Sequence, residues 1–368
     1  MRSLDTARES NLLRSRHVRV PRIELHPKTP WVLRLFDRVP LAAFWVGIVL
    51  ATALFAVFLA YSWLFGTGLG RLANLHGDGN WLAEIIEDLF FGWTLAIAAA
   101  SARGAQLDFE ALRPALDFSA VDSATLRRQV LTYQPLPLAL VAAASGIVVA
   151  VATPLDPSLW ADGRFPGWAH PTAIWLAARN FANWCAVGFA MALGLMLGHA
   201  FSRLGDHLRV DLLDRAPLAP FAHRALRNVS WWMLLAAFLS LHYAGRGWAG
   251  ELLPLALLSL AAFALGAFTL PLLGAHRSIR ARKEAELARV RAAIRDARER
   301  VLAAEAAERL AGGRLADLVA YEGRIAAVPE WPLDASTLVR LGFYLMLGLG
   351  SWVGAAIVEW LVDAVLRR

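Results

Sequence analysis

The chain has 368 residues, of which 58% are hydrophobic and 18% are charged. This balance excludes an ordinary soluble protein. The excess of hydrophobic residues lies in apolar runs of about 20 residues, each long enough to cross a membrane. The net charge of +7 comes from basic residues that flank these runs, so we expect contact with lipid and no nucleic-acid partner.

The amino-terminal part combines a basic arm with an apolar run. Residues 1–38 carry nine Lys and Arg side chains, and prolines interrupt them. This composition predicts a cytoplasmic arm that is partly disordered and lies near anionic lipid. Residues 39–66 then suffice to cross a hydrocarbon core of ~30 Å. The long basic lead argues against a cleaved signal peptide, so we predict a retained first transmembrane helix.

The second transmembrane helix depends on three acidic residues. Residues 89–102 are free of charge, but they reach only about 21 Å, which is too short for the core. A full crossing therefore includes Glu84, Glu87 and Asp88. With seven crossings and the amino end inside, most of the 37 basic residues lie in the cytoplasm. The positive-inside rule favours this arrangement.

Four further transmembrane helices are predicted after a short cytoplasmic stretch, residues 103–133. They comprise residues 135–153, 172–201, 229–244 and a run that begins at Leu252. Gly194 and Gly198 in the fourth helix have the spacing that lets another helix approach closely. The only cysteine, Cys185, lies in the same apolar run and is interpreted as a buried hydrophobic residue.

The run that begins at Leu252 continues into a basic, amphipathic segment. From Leu287 to Ala304 its apolar residues alternate three and four positions apart, which is the spacing of a heptad seam and predicts a coiled coil. Residues 276–334 carry 12 of the 37 Lys and Arg residues, so we place them in the cytoplasm. Either Gly312 and Gly313 form the break between two helical arms, or the turn lies earlier, in the alanine-rich part.

The last transmembrane helix is predicted at residues 337–365, with Asp334 or Ser336 as its cap. It contains Gly350 and Gly354 at close-packing spacing. The preceding segment, AYEGRIAAVPEWPLD, resembles uncharacterised bacterial multi-pass membrane proteins. This resemblance covers only the carboxyl-terminal part of the chain. It implies a multi-pass protein of the bacterial inner membrane and brings no activity with it.

Together these elements predict an all-α, polytopic integral membrane bundle of about seven transmembrane helices with a cytoplasmic helical hairpin. The predicted domains are a cytoplasmic arm (1–38), helices 1 to 6 (39–275), the hairpin (276–336), and the last helix with the carboxyl terminus (337–368). The amino end is cytoplasmic, the lipid bilayer is the expected partner, and a homo-oligomer is left open.

Polar residues near the outer ends of several predicted helices form a candidate cluster. Ionisable groups inside a membrane usually pair or line a wet cavity. The helical spacing places the three acidic residues of the second helix on one face. The candidate cluster consists of Glu84, Glu87, Asp88, Arg179, Asn180, Asn183, His242 and Glu359. Either it forms an ion or proton pathway for an inorganic cation, or its ion pairs only hold the helices together.

The preferred function is an ion channel or small-ion transporter with an acidic outer mouth. The alternative is a membrane scaffold or signal-transmitting protein that works through its cytoplasmic rod. A membrane enzyme that uses the stretch HLRVDLLD, residues 207–214, is a third interpretation. The sequence lacks HExxH, GxSxG, CxxC and phosphate-loop motifs. We therefore predict no enzyme activity, no catalytic residue, no cofactor and no metal site.

Overall fold

A computed structural model describes residues 29–39, 42–65, 81–119, 121–155, 164, 166–244, 252–303 and 311–346. Within these ranges, the side chains at positions 81–83, 239–244, 252–257, 303 and 311–313 are not described. All regular structure in the described part is helical, apart from one isolated bridge between Leu116 and Leu208. The predicted all-helical class is therefore confirmed.

The described helices, in chain order, are α1 (Trp31–Arg38), α2 (Ala43–Leu64), α3 (Trp81–Leu112), α4 (Ser123–Leu131), α5 (Pro135–Ala152), α6 (Pro171–Gly205), α7 (Ala219–Ala244), α8 (Leu252–Thr269), α9 (Leu272–Ala303), α10 (Ala311–Ala326) and α11 (Ala335–Met346). Among the described residues, four segments are long and apolar enough to cross a membrane: α2, α3, α4 with α5, and α6. A fifth is added if α8 and α9, which are bent by 42° relative to each other, count as one span.

Helix α3 occupies the centre of the bundle, where it contacts α2, α6 and α7. It runs without a break from Trp81 to Leu112, so the three acidic residues lie inside a helix long enough to cross the membrane. Its middle part carries small, fully buried residues such as Ala99 and Ala102. Small side chains let three neighbouring helices approach α3 closely.

The end of the predicted arm is more ordered than its composition indicated. Residues 1–28 lie outside the described part, but Trp31–Arg38 forms the short helix α1. Its apolar side chains, among them Leu33 and Phe36, are buried against the bundle. Arg103 of α3 donates a hydrogen bond of 2.5 Å to the carbonyl oxygen of Phe36. The arm therefore ends in an ordered helix whose apolar face packs on the bundle.

Helices α2 and α3 cross where Gly47 faces Gly92. A Cβ atom at Gly47 would lie 2.6 Å from the carbonyl oxygen of Gly92, and a Cβ atom at Gly92 would overlap the carbonyl oxygen of Gly47. Because the obstacle is backbone, no side chain can move aside. The two helices can approach this closely only with glycine at both positions.

We expect Gly92→Ala to lower the unfolding temperature clearly, because the new methyl group overlaps the Gly47 carbonyl oxygen and forces α2 away from α3. Overpacking of this kind costs about 1–3 kcal/mol. Gly194→Ala is the matched control, since a Cβ atom at Gly194 of α6 meets nothing within 4 Å. Thermal unfolding in lipid or detergent measures both variants, and equal losses would contradict the close crossing.

The glycine pair predicted in the fourth helix makes one close contact instead of two. A Cβ atom at Gly198 would lie 2.9 Å from the Cδ2 atom of Leu270, whereas Gly194 faces open space. The closest approach of α6 is at its end, where Gly205 packs against Gly274 of α9. Gly350 and Gly354 lie outside the described residues.

Helices α9 and α10 form a pair that we call the rod. Arg291 of α9 donates to Glu322 of α10 at 2.7 Å, and the Tyr321 hydroxyl donates to Glu286 at 3.3 Å. Ile325 is fully buried at the same interface. The chain was predicted to break at Gly312 and Gly313, but α10 already begins at Ala311. Both glycines lie in the first turn of α10, so the two arms do not separate at these residues.

The heptad seam predicts buried positions in α9, and Val290 and Ala297 are 4% and 6% exposed. We expect Val290→Lys to destabilise the rod by roughly 2 kcal/mol or more, because the ammonium group would enter an apolar interface. Ala288→Lys on the exposed side of the same helix should have little effect. Hydrogen exchange of the rod amides measures both variants, and equal protection would show that the seam is not buried.

The start of α11 is fixed by a cap at Asp334, as the sequence predicted. The backbone N–H of Thr337 donates to Asp334 Oδ1 at 2.8 Å, and the Thr337 hydroxyl donates to the same atom. These hydrogen bonds lower the pKa of the Asp334 carboxyl to about 2. The carboxylate therefore stays charged, and it stabilises the first turn of α11 over the whole physiological range.

Candidate functional site

Helices α3 and α6 run parallel, and their polar residues meet near both ends. At the carboxyl ends, Asp117 donates its backbone N–H to His207 at 2.9 Å, next to the Leu116–Leu208 bridge. At the amino ends, Arg179 of α6 reaches the acidic face of α3. Because the helices are parallel, residues that lie four positions further along each helix are again at the same height in the bundle.

Arg179 is the centre of the amino-terminal cluster. Its side chain is almost fully buried, with 2% exposure. The Nη1 atom pairs with Glu84, and the Nη2 atom pairs with Glu87. Each carboxylate thus receives its own guanidinium nitrogen. Such a buried arrangement fixes two helices relative to each other, because removal of one partner strands a charge.

Asp88 and Asn183 lie one helical turn beyond this level, on the same two helices. Asp88 follows Glu84 by four residues, and Asn183 follows Arg179 by four. Asp88 is 3% exposed and Asn183 is 5% exposed. The Oδ1 atoms of both side chains are buried and have no hydrogen-bond partner among the described residues.

The remaining members of the candidate cluster are placed elsewhere or lie outside the described part. Asn180 turns to the end of α5, where its Nδ2 atom donates to the Thr153 hydroxyl at 3.0 Å. The side chain of His242 and the whole of Glu359 are outside the described residues. The structure thus brings together the three acidic residues and Arg179, with Asn183 one turn further on, and it separates Asn180 from them.

Three carboxyl groups face one guanidinium in this cluster, so acidic groups are in excess among its described members. No three His, Cys, Asp or Glu side chains in the described ranges converge in a way that could hold a metal ion. The contacts described in the cluster are ion pairs between Arg179 and the two glutamates.

A second buried cluster lies at the carboxyl-terminal end of α3, and sequence reasoning missed it. Asp108, which is 7% exposed, accepts a hydrogen bond of 3.0 Å from Arg224 of α7 and pairs with Arg227. Arg224 is 1% exposed, and its guanidinium carbon lies 4.0 Å from the centre of the Phe201 ring. The ring face offers a further favourable contact to the cation.

One sequence signal points to this second cluster. Arg224 and Arg227 are three residues apart, so they share a face of α7. An apolar run follows directly, which makes that face a candidate for burial. Basic residues before an apolar run are, however, usual cytoplasmic flanks. The sequence alone therefore did not distinguish a buried ion pair from a solvated helix end.

In the middle of α3, from Leu95 to Ala102, the buried side chains are apolar. Ala96, Ala98, Ala99 and Ala102 are at most 5% exposed. Thr94 is the only fully buried polar side chain described between Asp88 and Arg103, and its hydroxyl donates to the Phe90 carbonyl of its own helix at 2.7 Å. The described part of α3 therefore offers no polar row that joins one cluster to the other.

A cavity of about 960 Å³ opens between the base of the rod and the loops that follow α3 and α6. The stretch 208–214 lines it, together with Arg282, Glu286 and Arg289 of α9 and Tyr321 of α10. In this stretch, Asp211 and Asp214 accept hydrogen bonds from backbone N–H groups two residues further on. Both carboxylates thereby stabilise turns of the loop.

No protein-family model, no curated protein and no solved structure matches the chain. The resemblance of the carboxyl-terminal segment to bacterial multi-pass membrane proteins stays a prediction. Any functional assignment must therefore come from the geometry of the two clusters, the rod and the cavity at its base.

Proposed function

We propose that the chain is a seven-span integral protein of the bacterial inner membrane, with its amino end in the cytoplasm, and that it is a scaffold or signal-transmitting protein that works through the rod. Four or five apolar helices of sufficient length support the membrane location. The excess of Lys and Arg in the short connections on one side supports the orientation.

The observation that supports this function most directly is the continuous link from α8 into the rod. The chain bends by 42° between Thr269 and Leu272, where Pro271 interrupts the helical hydrogen bonds. Ser278 then donates to the Gly205 carbonyl oxygen at 2.7 Å, and Arg277 donates to both oxygens of Asp206 at 2.9 and 3.0 Å. The base of α9 is thereby joined to the end of α6.

The return arm of the rod is joined to the same base. Lys283 of α9 donates to the Val328 carbonyl oxygen at 2.8 Å, just after α10. The His276 ring stacks on Trp331 with 4.3 Å between ring centroids, and Arg215 donates to the Trp331 carbonyl oxygen. A displacement of α6 or α8 in the membrane would therefore be carried to both arms of the rod.

An ion pathway is the second candidate function, and the excess of carboxyl groups around Arg179 favours it. The apolar middle of α3 opposes it, because an ion that passed these buried alanines would lose its hydration without gaining polar partners. Because of this energetic barrier, we prefer the scaffold function to the ion pathway.

Flux through reconstituted vesicles separates the two functions. We expect vesicles that contain the protein to leak cations and protons no faster than empty vesicles, over a range of voltage and pH. A flux above that of empty vesicles, reduced by Glu87→Gln and unaffected by an exposed control such as Glu284→Gln, would establish the pathway and overturn the scaffold function.

A further inference from the structure

We propose that Asp88 and Asn183 form a proton-binding site inside the bundle, and that Asp88 holds the proton at neutral pH. The site lies one turn below the Arg179 ion pairs and does not depend on whether the chain conducts ions or acts as a scaffold. Asp88 then binds a proton, whereas Glu84 and Glu87 pair with Arg179.

The unpartnered atoms of Asp88 and Asn183 are both acceptors, and the one unpartnered donor described beside them is the Nε atom of Arg179, one turn away on α6. The Oδ1 atoms of Asp88 and Asn183 are buried without a hydrogen-bond partner among the described residues. With the Asn183 amide oxygen buried at this level, an ionised carboxylate and that oxygen cannot satisfy each other, because neither has a proton to donate. A proton on Asp88 changes this, since the carboxylic acid then donates one hydrogen bond and an amide oxygen is a suitable acceptor.

The charges in the cluster also favour a protonated Asp88. The two terminal nitrogens of Arg179 are each paired with another carboxylate, so Asp88 is a third acid next to the one cation that the described residues supply. A buried carboxylate without its own cation is far more costly than a buried carboxylic acid that needs only hydrogen bonds. A proton on Asp88 removes this cost, because it neutralises the carboxylate and supplies the missing donor.

The described residues around Asp88 carry few other charges. Arg179 is the one described cation that faces it, from α6, and Glu84 and Glu87 face it from its own helix. From α2 the only titratable group is Tyr61, whose hydroxyl donates to the Pro171 carbonyl oxygen at 2.7 Å. On α7, the side chains of His242 and Tyr243 lie outside the described residues.

Infrared spectroscopy of the full-length protein in lipid vesicles at pH 7 tests the proposal directly. A protonated carboxylic acid has a carbonyl stretching band that a carboxylate lacks. We expect this band in the wild-type protein, and we expect it to shift when aspartate, but not glutamate, carries a ¹³C label in its carboxyl group. The absence of the band, or a shift with labelled glutamate only, would overturn the proposal.

Three variants assign the band to this site. Asp88→Asn should remove it, whereas Asp108→Asn should leave it, because Asp108 is paired with arginine. Asn183→Leu should move the band to the frequency of a weaker hydrogen bond. If Asp88→Asn does not fold, the shift in Asn183→Leu still decides. A band that appears only after sodium and potassium are removed would show a bound cation and would also overturn the proposal.

Discussion

Replacement of Arg179 by glutamine is expected to be one of the most damaging single changes in the chain. The carboxylates of Glu84 and Glu87 would lose the cation that pairs with both of them. Removal of one partner from a buried ion pair costs about 3–5 kcal/mol. Equilibrium unfolding in lipid or mixed micelles measures the loss.

The matched control is Arg280→Gln. Arg280 also pairs with a glutamate, Glu284, but its side chain is 60% exposed, and pairs of this kind contribute only about 0.3–0.5 kcal/mol. The double variant Glu87→Gln with Arg179→Gln should recover part of the stability, because it removes one stranded charge. Equal losses in Arg179→Gln and Arg280→Gln would show that the cluster is solvated.

Asp108→Asn is expected to have a similarly large effect at the other end of α3. The change keeps the shape of the side chain but leaves Arg224, which is 1% exposed, without its counter-ion. The expected cost is again about 3–5 kcal/mol. Arg227 can turn toward solvent, since 31% of its side chain is exposed, so most of the loss should come from Arg224.

Two further variants check this explanation by the same unfolding measurement. Asp206→Asn should be mild, because the Arg277–Asp206 pair is about half exposed. Arg224→Met combined with Asp108→Asn should regain stability, since no buried charge is then left unpaired. A double variant less stable than Asp108→Asn alone would contradict a purely electrostatic role for this pair.

The pairing of Arg179 with the acids of α3 followed from the sequence because a membrane limits the choices. Ionisable groups at the same depth must find one another, and depth can be counted at ~1.5 Å per residue. The sequence also allowed the prediction that Asn180 points away from the acidic residues of α3. It is one residue after Arg179, so it projects about 100° away and meets α5 instead of α3.

Other contacts could not be read from the chain. Gly47 and Gly92 lie on separate helices, and neither belongs to a GxxxG pair, so their contact depends on how α2 and α3 pack. The Asp108–Arg224 pair likewise depends on the packing of α3 against α7. The glycines at 312 and 313 favoured a break, yet the first turn of a helix accommodates glycine when neighbouring contacts stabilise it.

The orientation of the chain is the claim on which the proposed function depends most directly, since the rod must face the cytoplasm. Single cysteines introduced into a Cys185→Ser background, and labelled with a membrane-impermeant reagent in intact cells, test it. We expect a cysteine at position 75, between α2 and α3, to react from outside, and a cysteine at position 300 in the rod to react only after the cells are opened. Labelling of position 300 in intact cells would contradict the account.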